Sequence, residues 1–159
     1  MKFMQKATEL AFKACSKEEI PVGAVIVKNN KIISKAYNKR EKSQLATQHA
    51  EIIAIERACK KLKSWRLDDC DIYVTLEPCP MCAGAIMNAR IKNIFYAVSD
   101  KENGGHSRFN IFNNCLNHTA NCQQMIDFEN ENKDLIQNFF KTKRKQQKII
   151  KNNKKLSKK

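Results

Sequence analysis

The stretch Pro78-Cys79-Pro80-Met81-Cys82 constrains this chain more than any other. It follows Asp71–Leu76 (DIYVTL), an apolar, β-branched run that reads as a buried strand. Proline is favoured at the first position of a helix, where no backbone donor is needed, so Pro80 opens a helix predicted over Pro80–Ala89. That places Cys79 at the N-cap and Cys82 in the first turn, on one face. Two sulfurs so placed reach a single metal ion at about 2.3 Å. The partial positive charge of the helix N-terminus favours the thiolates that a metal requires.

Two cysteines leave a tetrahedral zinc site incomplete. The best third ligand is His49, which opens a second predicted helix, Ala50–Leu62, whose apolar face carries Ile52, Ile55, Cys59 and Leu62. Three protein ligands leave a fourth position for water, the pattern of a catalytic rather than a structural zinc. Zinc lowers the pKa of its water from about 15.7 towards about 7. Glu51, two residues beyond His49, is a carboxylate able to take that proton and pass it to a leaving amine. Taken alone, a Cys-x-x-Cys also suits half of a structural zinc site or a redox pair, and a His-x-Glu suits an ordinary helix start. The ordered set is far more specific: His-Ala-Glu opening a helix, then a strand, then Pro-Cys-x-x-Cys opening the next helix.

The rest of the chain gives these motifs a scaffold. Phe3, Ala7, Leu10, Ala11 and Ala14 share one face of a helix predicted over Met1–Ser16. Pro21–Lys28 and Lys31–Tyr37 read as strands joined by an Asn29-Asn30 turn into a hairpin. Asn38–Gln48 reads as a loop, Asn93–Val98 (NIFYAV) as a buried strand, and Asp100–Asn121 as mostly loop. Lys133–Lys148 reads as a helix anchored by Leu135, Ile136, Phe139 and Phe140. Beyond Ile150 the Lys/Asn-rich tail reads as frayed or disordered. Helices alternating with buried strands argue for one α/β domain over residues 1–150, with 151–159 as an appended basic tail.

The chain has 159 residues and a formal net charge of +14, unevenly spread. Lys141–Lys159 holds ten Lys or Arg and no acid, which leaves +4 for residues 1–140. Such an arm favours an acidic partner, nucleic acid before an anionic membrane surface. Seven irregularly spaced cysteines argue against a disulfide framework and for a reducing, cytoplasmic setting. Met1–Cys15 lacks a signal pattern, and no apolar run approaches the roughly 18 residues that span a bilayer, so no membrane partner is expected. Cys15, Cys59, Cys70, Cys115 and Cys122 are expected to take no part in the metal site.

His49-Ala50-Glu51 with Pro78-Cys79-Pro80-Met81-Cys82 resembles the zinc signature of the cytidine/deoxycytidylate deaminase superfamily. Within it, the chain is most similar to the bacterial tRNA-specific adenosine deaminases. The likeness runs through Pro21–Val25, Tyr37-Asn38, His49–Ile52, Tyr73–Cys79, Met81–Ala85, Ala89–Ile91 and Phe139-Phe140 with the basic residues after it. The resemblance implies a three-layer α/β/α sandwich around a mixed sheet of about five strands. It implies one zinc per chain, a homodimer, and hydrolytic deamination of adenosine to inosine at the wobble position of a tRNA anticodon, with an arginine tRNA as the expected partner. It also implies that Asn38 hydrogen-bonds the target base and that Val22 and Ala50 belong to its pocket; without it, Asn38 would be a turn residue after a strand.

The chain departs from the family pattern at Ser99-Asp100-Lys101-Glu102-Asn103-Gly104-Gly105-His106-Ser107, where Ser99 stands in a place that often holds an acid. His106 and His118 read as surface or loop residues rather than ligands. Lys141, Lys143, Arg144 and Lys145 are candidates for phosphate contacts, which position RNA without reading its sequence. Two other readings stay open: a deaminase of a free base, nucleoside or nucleotide, of guanine or cytosine type, and a non-enzymatic zinc protein that binds RNA.

Overall fold

In the computed structural model, which describes residues 1–114 and 118–156, four predicted strands and a fifth form one sheet in the order β2-β1-β3-β4-β5. Helix α1 (Lys2–Cys15) leads into the hairpin of β1 (Gly23–Lys28) and β2 (Lys31–Tyr37). Asn29 and Asn30 both have positive φ, 49° and 59°, the left-handed conformation that a two-residue hairpin turn demands and asparagine tolerates. A short helix, α2 (Arg40–Ser43), interrupts the expected loop, and α3 (Ala50–Leu62) follows. Then come β3 (Cys70–Leu76), α4 (Pro80–Asn88), β4 (Asn93–Val98), the single turn α5 (Ile111–Asn114), β5 (Asn121–Gln124), a 3-10 turn at Ile126–Phe128, and α6 (Glu129–Leu156). Strand β1 is antiparallel to β2 and β3, whereas β3, β4 and β5 are parallel, so the sheet is mixed.

Alternation along the strands divides the core into two layers. Ala24, Ile26, Ile72, Val74 and Ile94 face α3 and α4, meeting Ile53, Ala54, Ala58, Ala83 and Ile86. Val25, Val27, Tyr73 and Phe95 face the opposite way, onto Met4, Ala7 and Leu10 of α1 and Ile136 of α6. The result is the expected α/β/α sandwich. Ile72, in the middle strand, is fully buried; its truncation to alanine would cost about 2–5 kcal/mol. Gly23 is required where α1 crosses β1: a Cβ there would lie 2.8 Å from Leu10 Cβ and 2.9 Å from the Ala11 nitrogen.

Besides α2, β5 and α6 depart from the sequence reading. Strand β5 (NCQQ) lies inside and just beyond the expected loop; it is polar and lies at the sheet edge, held by its ladder to β4 and by Asn121 Nδ2 donating to Asn93 Oδ1 at 3.1 Å, so no hydrophobic run marks it. Helix α6 begins four residues early and continues through the stretch expected to be frayed, as far as Leu156. No Gly or Pro interrupts residues 129–156, and Lys, Gln, Leu and Ile carry little helical penalty. Glu129 and Glu131 suit its N-terminus, and buried Asn132 ties it to α1 by donating to Thr8 Oγ1 at 3.0 Å. Among the described residues, no helix is long and apolar enough to cross a membrane.

Candidate active site

Helices α3 and α4 start side by side below the carboxyl end of β3. His49 is the N-cap of α3 and Cys79 the N-cap of α4, both with extended backbone, and Pro80 sits at the head of α4. His49 Nδ1 lies 3.8 Å from Cys79 Sγ and 3.6 Å from Cys82 Sγ. All three ligand atoms fall within 4.8 Å of one another. Zinc bonds of about 2.3 Å to sulfur and about 2.0–2.1 Å to nitrogen, at a tetrahedral angle, require N···S edges of about 3.6 Å, so these side chains fit that ion as they stand.

The electrostatics agree. Cys79 is pushed down to about 4, first by its hydrogen bond with Cys82 and then by His49, against the opposing effect of burial. Cys82 is raised by the same bond to Cys79, by burial and by Glu51. His49 is raised, chiefly by its bond to Cys79. One imidazole nitrogen and two soft sulfurs make the donor set of a zinc site. Among the described residues, Cys15, Cys59, Cys70 and Cys122 lie outside the cluster, as do His106 and His118; Cys115 lies outside the described residues. His118 Nε2 instead bonds the Ile91 carbonyl at 2.8 Å, and the His106 ring packs between Tyr96 and Phe112.

Glu51 is 4% exposed, and its Oε2 has no partner in the protein. Burial first, and then the Cys79 thiolate, push its carboxyl up to about 7. An unpartnered carboxylate oxygen beside the three ligands, near neutrality, suits a group that both takes and gives a proton.

His49, Cys79 and Glu51 lie in the wall of a cavity of about 970 Å³, with Cys82 buried behind them. Ile20, Val22, Asn38 and Arg40 form one side, Ser99–Asn103 another, and Lys133, Ile136, Gln137 and Phe140 of α6 a third. Asn38 and Val22 thus both line the cavity. Ala50 is fully buried and does not line the cavity; its backbone N–H donates to Asn38 Oδ1 at 3.0 Å. Backbone bonds from Asn38 N to Val22 O, at 3.1 Å, and from Lys39 N to Gln48 O, at 3.0 Å, close the loop that carries Asn38. Of the four basic residues singled out for RNA, none lines this cavity. Lys143 lies 4.0 Å from Glu18, in the turn after α1, and over the Phe139 ring.

Sequence reasoning missed Glu19 and Glu77. Both carboxylates are buried, and each is spent on backbone donors at one rim of the cavity. Glu19 accepts the N–H groups of Glu41 and Lys42 at 3.0 and 2.7 Å, capping α2. Glu77 accepts five bonds from the Ser99–Ser107 loop. Burial raises its carboxyl, but the Ser107 and Asp100 amides and the Ser99 and Ser107 hydroxyls outweigh burial and hold it below the usual carboxylate range. No periodicity announces such a residue; the only hint is an acid placed directly after a buried strand.

Comparison with known proteins agrees with this site. The family model of MafB19-like deaminases matches residues 1–144. A tRNA-specific adenosine deaminase of Rickettsia bellii is 48% identical over 143 residues, 87% of this chain and 97% of that protein. The chain belongs to the tRNA-specific adenosine deaminase family. The fold also matches a solved tRNA:A34 deaminase studied for A-to-I editing at the wobble position, with a TM-score of 0.79 and 36% identity over 84% of this chain and 98% of that one. A guanine deaminase of Bacillus subtilis matches with a TM-score of 0.59 and 46% identity, over 62% of this chain and 63% of that one. Members of the deaminase family are zinc enzymes, and His49, Cys79 and Cys82 of this chain stand ready for that ion.

Proposed function

We propose that this protein hydrolyses adenosine to inosine at position 34, the wobble position, of tRNA. The observation that best supports the reading is the meeting of the His49–Cys79–Cys82 cluster with the unpartnered Glu51 oxygen in the wall of the Asn38 cavity. The 36% identity to a tRNA:A34 deaminase gives the substrate. Zinc held by His49, Cys79 and Cys82 would supply a water of lowered pKa. Glu51 takes a proton on Oε2 and returns one to the departing amine, so that water is consumed and ammonia leaves. Asn38, its oxygen engaged by Ala50, turns its NH2 group to the base, while Val22 packs beside it and Ala50 acts through its backbone.

Residues 1–150 act as the deaminase domain, and the basic end of the chain gives the RNA a field to approach. Lys141, Arg144 and Lys145 meet phosphates on the outward run of α6, with Lys143 nearer α1. The substrate is an arginine tRNA with adenosine at the wobble position, the compartment is the cytoplasm, and the protein works as a homodimer, to which exposed Trp65, Leu45 and Met81 offer apolar surface.

The guanine deaminase likeness supports a second reading, hydrolysis of a free base. One incubation separates the two: tRNA with adenosine at the wobble position, assayed for inosine, beside free adenosine, cytidine and guanine. Inosine in the RNA alone is expected. Turnover of guanine with untouched RNA overturns the proposal.

A further inference from the structure

The loop that departs from the family pattern is also tied closely to the protein beneath it. Glu77 is 2% exposed, and both of its oxygens are fully used. Oε1 accepts the backbone N–H groups of His106 at 3.1 Å and Ser107 at 2.7 Å. Oε2 accepts the Asp100 N–H at 2.9 Å, the Ser99 hydroxyl at 2.9 Å and the Ser107 hydroxyl at 3.0 Å. Both ends of the loop, Ser99-Asp100 and His106-Ser107, thus hang from one carboxylate. The loop presses close. A Cβ on Gly104 would overlap the Glu77 carboxylate, and one on Gly105 would come within 2.7 Å of Ala83 Cβ and 2.9 Å of the Pro78 carbonyl. Gly105 also donates its N–H to that carbonyl at 2.8 Å.

Between these anchors, Ser99–Asn103 forms a wall of the active-site cavity. Glu77 itself lies two residues before the ligand Cys79, so the same short segment fixes the metal site and the loop. We propose that Glu77 is a positioning residue for substrate: it sets the place of the Ser99–Asn103 wall relative to the zinc cluster, and so governs how the RNA flanking the target base is held. The inference rests on the RNA deaminase reading given above. A carboxylate suits the task because it offers acceptors only. Amide nitrogen in place of either oxygen would face backbone N–H groups that cannot turn away. Hydrogen bonds to an ionised acceptor are also stronger than neutral ones, and the backbone donors would otherwise be stranded.

The test compares zinc-loaded full-length wild type with Glu77→Gln and Ser107→Ala, using an anticodon stem-loop RNA with adenosine at the wobble position. Glu77→Gln should keep its zinc and hold kcat within about threefold, since the ligands and Glu51 are untouched, while KM rises by about tenfold or more, as expected when charge-assisted bonds that hold a binding wall are lost. Amide exchange at Asp100, His106 and Ser107 should quicken in that variant. Ser107→Ala, which keeps every backbone bond to Glu77, should shift KM in the same direction by about threefold; it carries the test if Glu77→Gln does not fold. Unchanged KM and unchanged amide exchange in Glu77→Gln would overturn the inference. So would a fall in kcat and zinc content with KM unmoved, which would make Glu77 a support of the metal site alone. Wild type that makes no inosine overturns the function reading and this one with it; wild type that turns over while the variants match its KM overturns this one alone.

Discussion

Asn38 Oδ1 accepts the backbone N–H of Ala50 at 3.0 Å, which fixes the orientation of the one buried amide that lines the cavity beside the metal ligands. Only the oxygen can answer a backbone donor, so the NH2 group is left for the cavity. The same bond satisfies a donor in the first turn of α3, whose N-cap His49 makes no side-chain cap bond. Asn38 thus has a structural task on its oxygen, and the proposed function gives its NH2 group a recognition task; two substitutions separate them. Asn38→Asp keeps an acceptor for Ala50 and removes the NH2 donors; it should fold normally and lose at least about tenfold in kcat/KM, the worth of a buried hydrogen bond. Asn38→Ala should lose activity and also about 1 kcal/mol of stability, as for a lost cap. Thermal melts beside kinetics check the split; equal stability losses in both would break it.

Glu51 carries the second prediction. Its Oε2 has no hydrogen-bond partner in the protein. Glu51→Gln should retain zinc and the wild-type melting behaviour while turnover falls at least about a hundredfold, the low end of what a positioned proton carrier supplies. Substantial activity in a zinc-replete variant would assign proton transfer elsewhere.

The metal gives the third. Cys79→Ala leaves two ligands and should abolish both zinc retention and activity. Cys15→Ala and Cys122→Ser should retain about one zinc per chain, because those sulfurs lie outside the cluster. Dialysis against a chelator should remove activity that added zinc restores. Metal analysis of each protein decides the assignment.

Much of this architecture is legible in the sequence, and the exceptions share a cause. The hairpin, α1, α3, β3, α4 and β4 announce themselves because each buries an apolar face of regular period. The zinc cluster is legible because its chemistry demands particular residue types at helix starts. Strand β5 is not, since Asn121–Gln124 gains its place from a ladder rather than from hydrophobicity. The outer part of α6 reads as a tail because its polar composition suggests disorder, whereas the absence of helix breakers lets the helix continue. Glu19 and Glu77 escaped because a buried acid that serves backbone donors looks, in sequence, like any surface acid.

Glu77 gives a pH prediction. Its folded-state pKa lies below the ordinary value of 4.5, so the stabilisation it supplies is present above that value and fades as the pH falls through the lower, folded-state one. Glu77→Gln lacks this contribution at every pH. The stability gap between wild type and variant should thus be largest near neutrality and narrow in acid. Comparing the two proteins at each pH cancels the acid lability of the metal site that both share. A gap that stays constant from pH 7 to about pH 3 would mean that the loop does not lower the Glu77 pKa on folding.

The last prediction concerns the end of α6. The helix leaves the cavity at Phe140 and runs on to Leu156, so Lys141, Arg144, Lys145, Lys148 and Lys151 extend outward on a helix rather than on a loose tail. Ile149 and Ile150 are exposed there, and no described contact of theirs holds the fold together. Deletion of residues 149–159 removes Lys151, Lys154, Lys155, Lys158 and Lys159, half of the ten positive charges beyond Phe140, and leaves the cavity wall intact. Binding to phosphates releases counterions, so the truncated protein should bind tRNA more weakly and with a flatter dependence on salt. The base acted on should not change, because Asn38 and the zinc cluster remain where they were, and only there is the edge of an extruded base enclosed. Binding measured across a salt series, with inosine as the product readout, tests both halves. An unchanged salt slope would place the RNA contacts on the cavity rim, at Arg40, Lys101 and Lys133, and leave the outer helix without a part in binding.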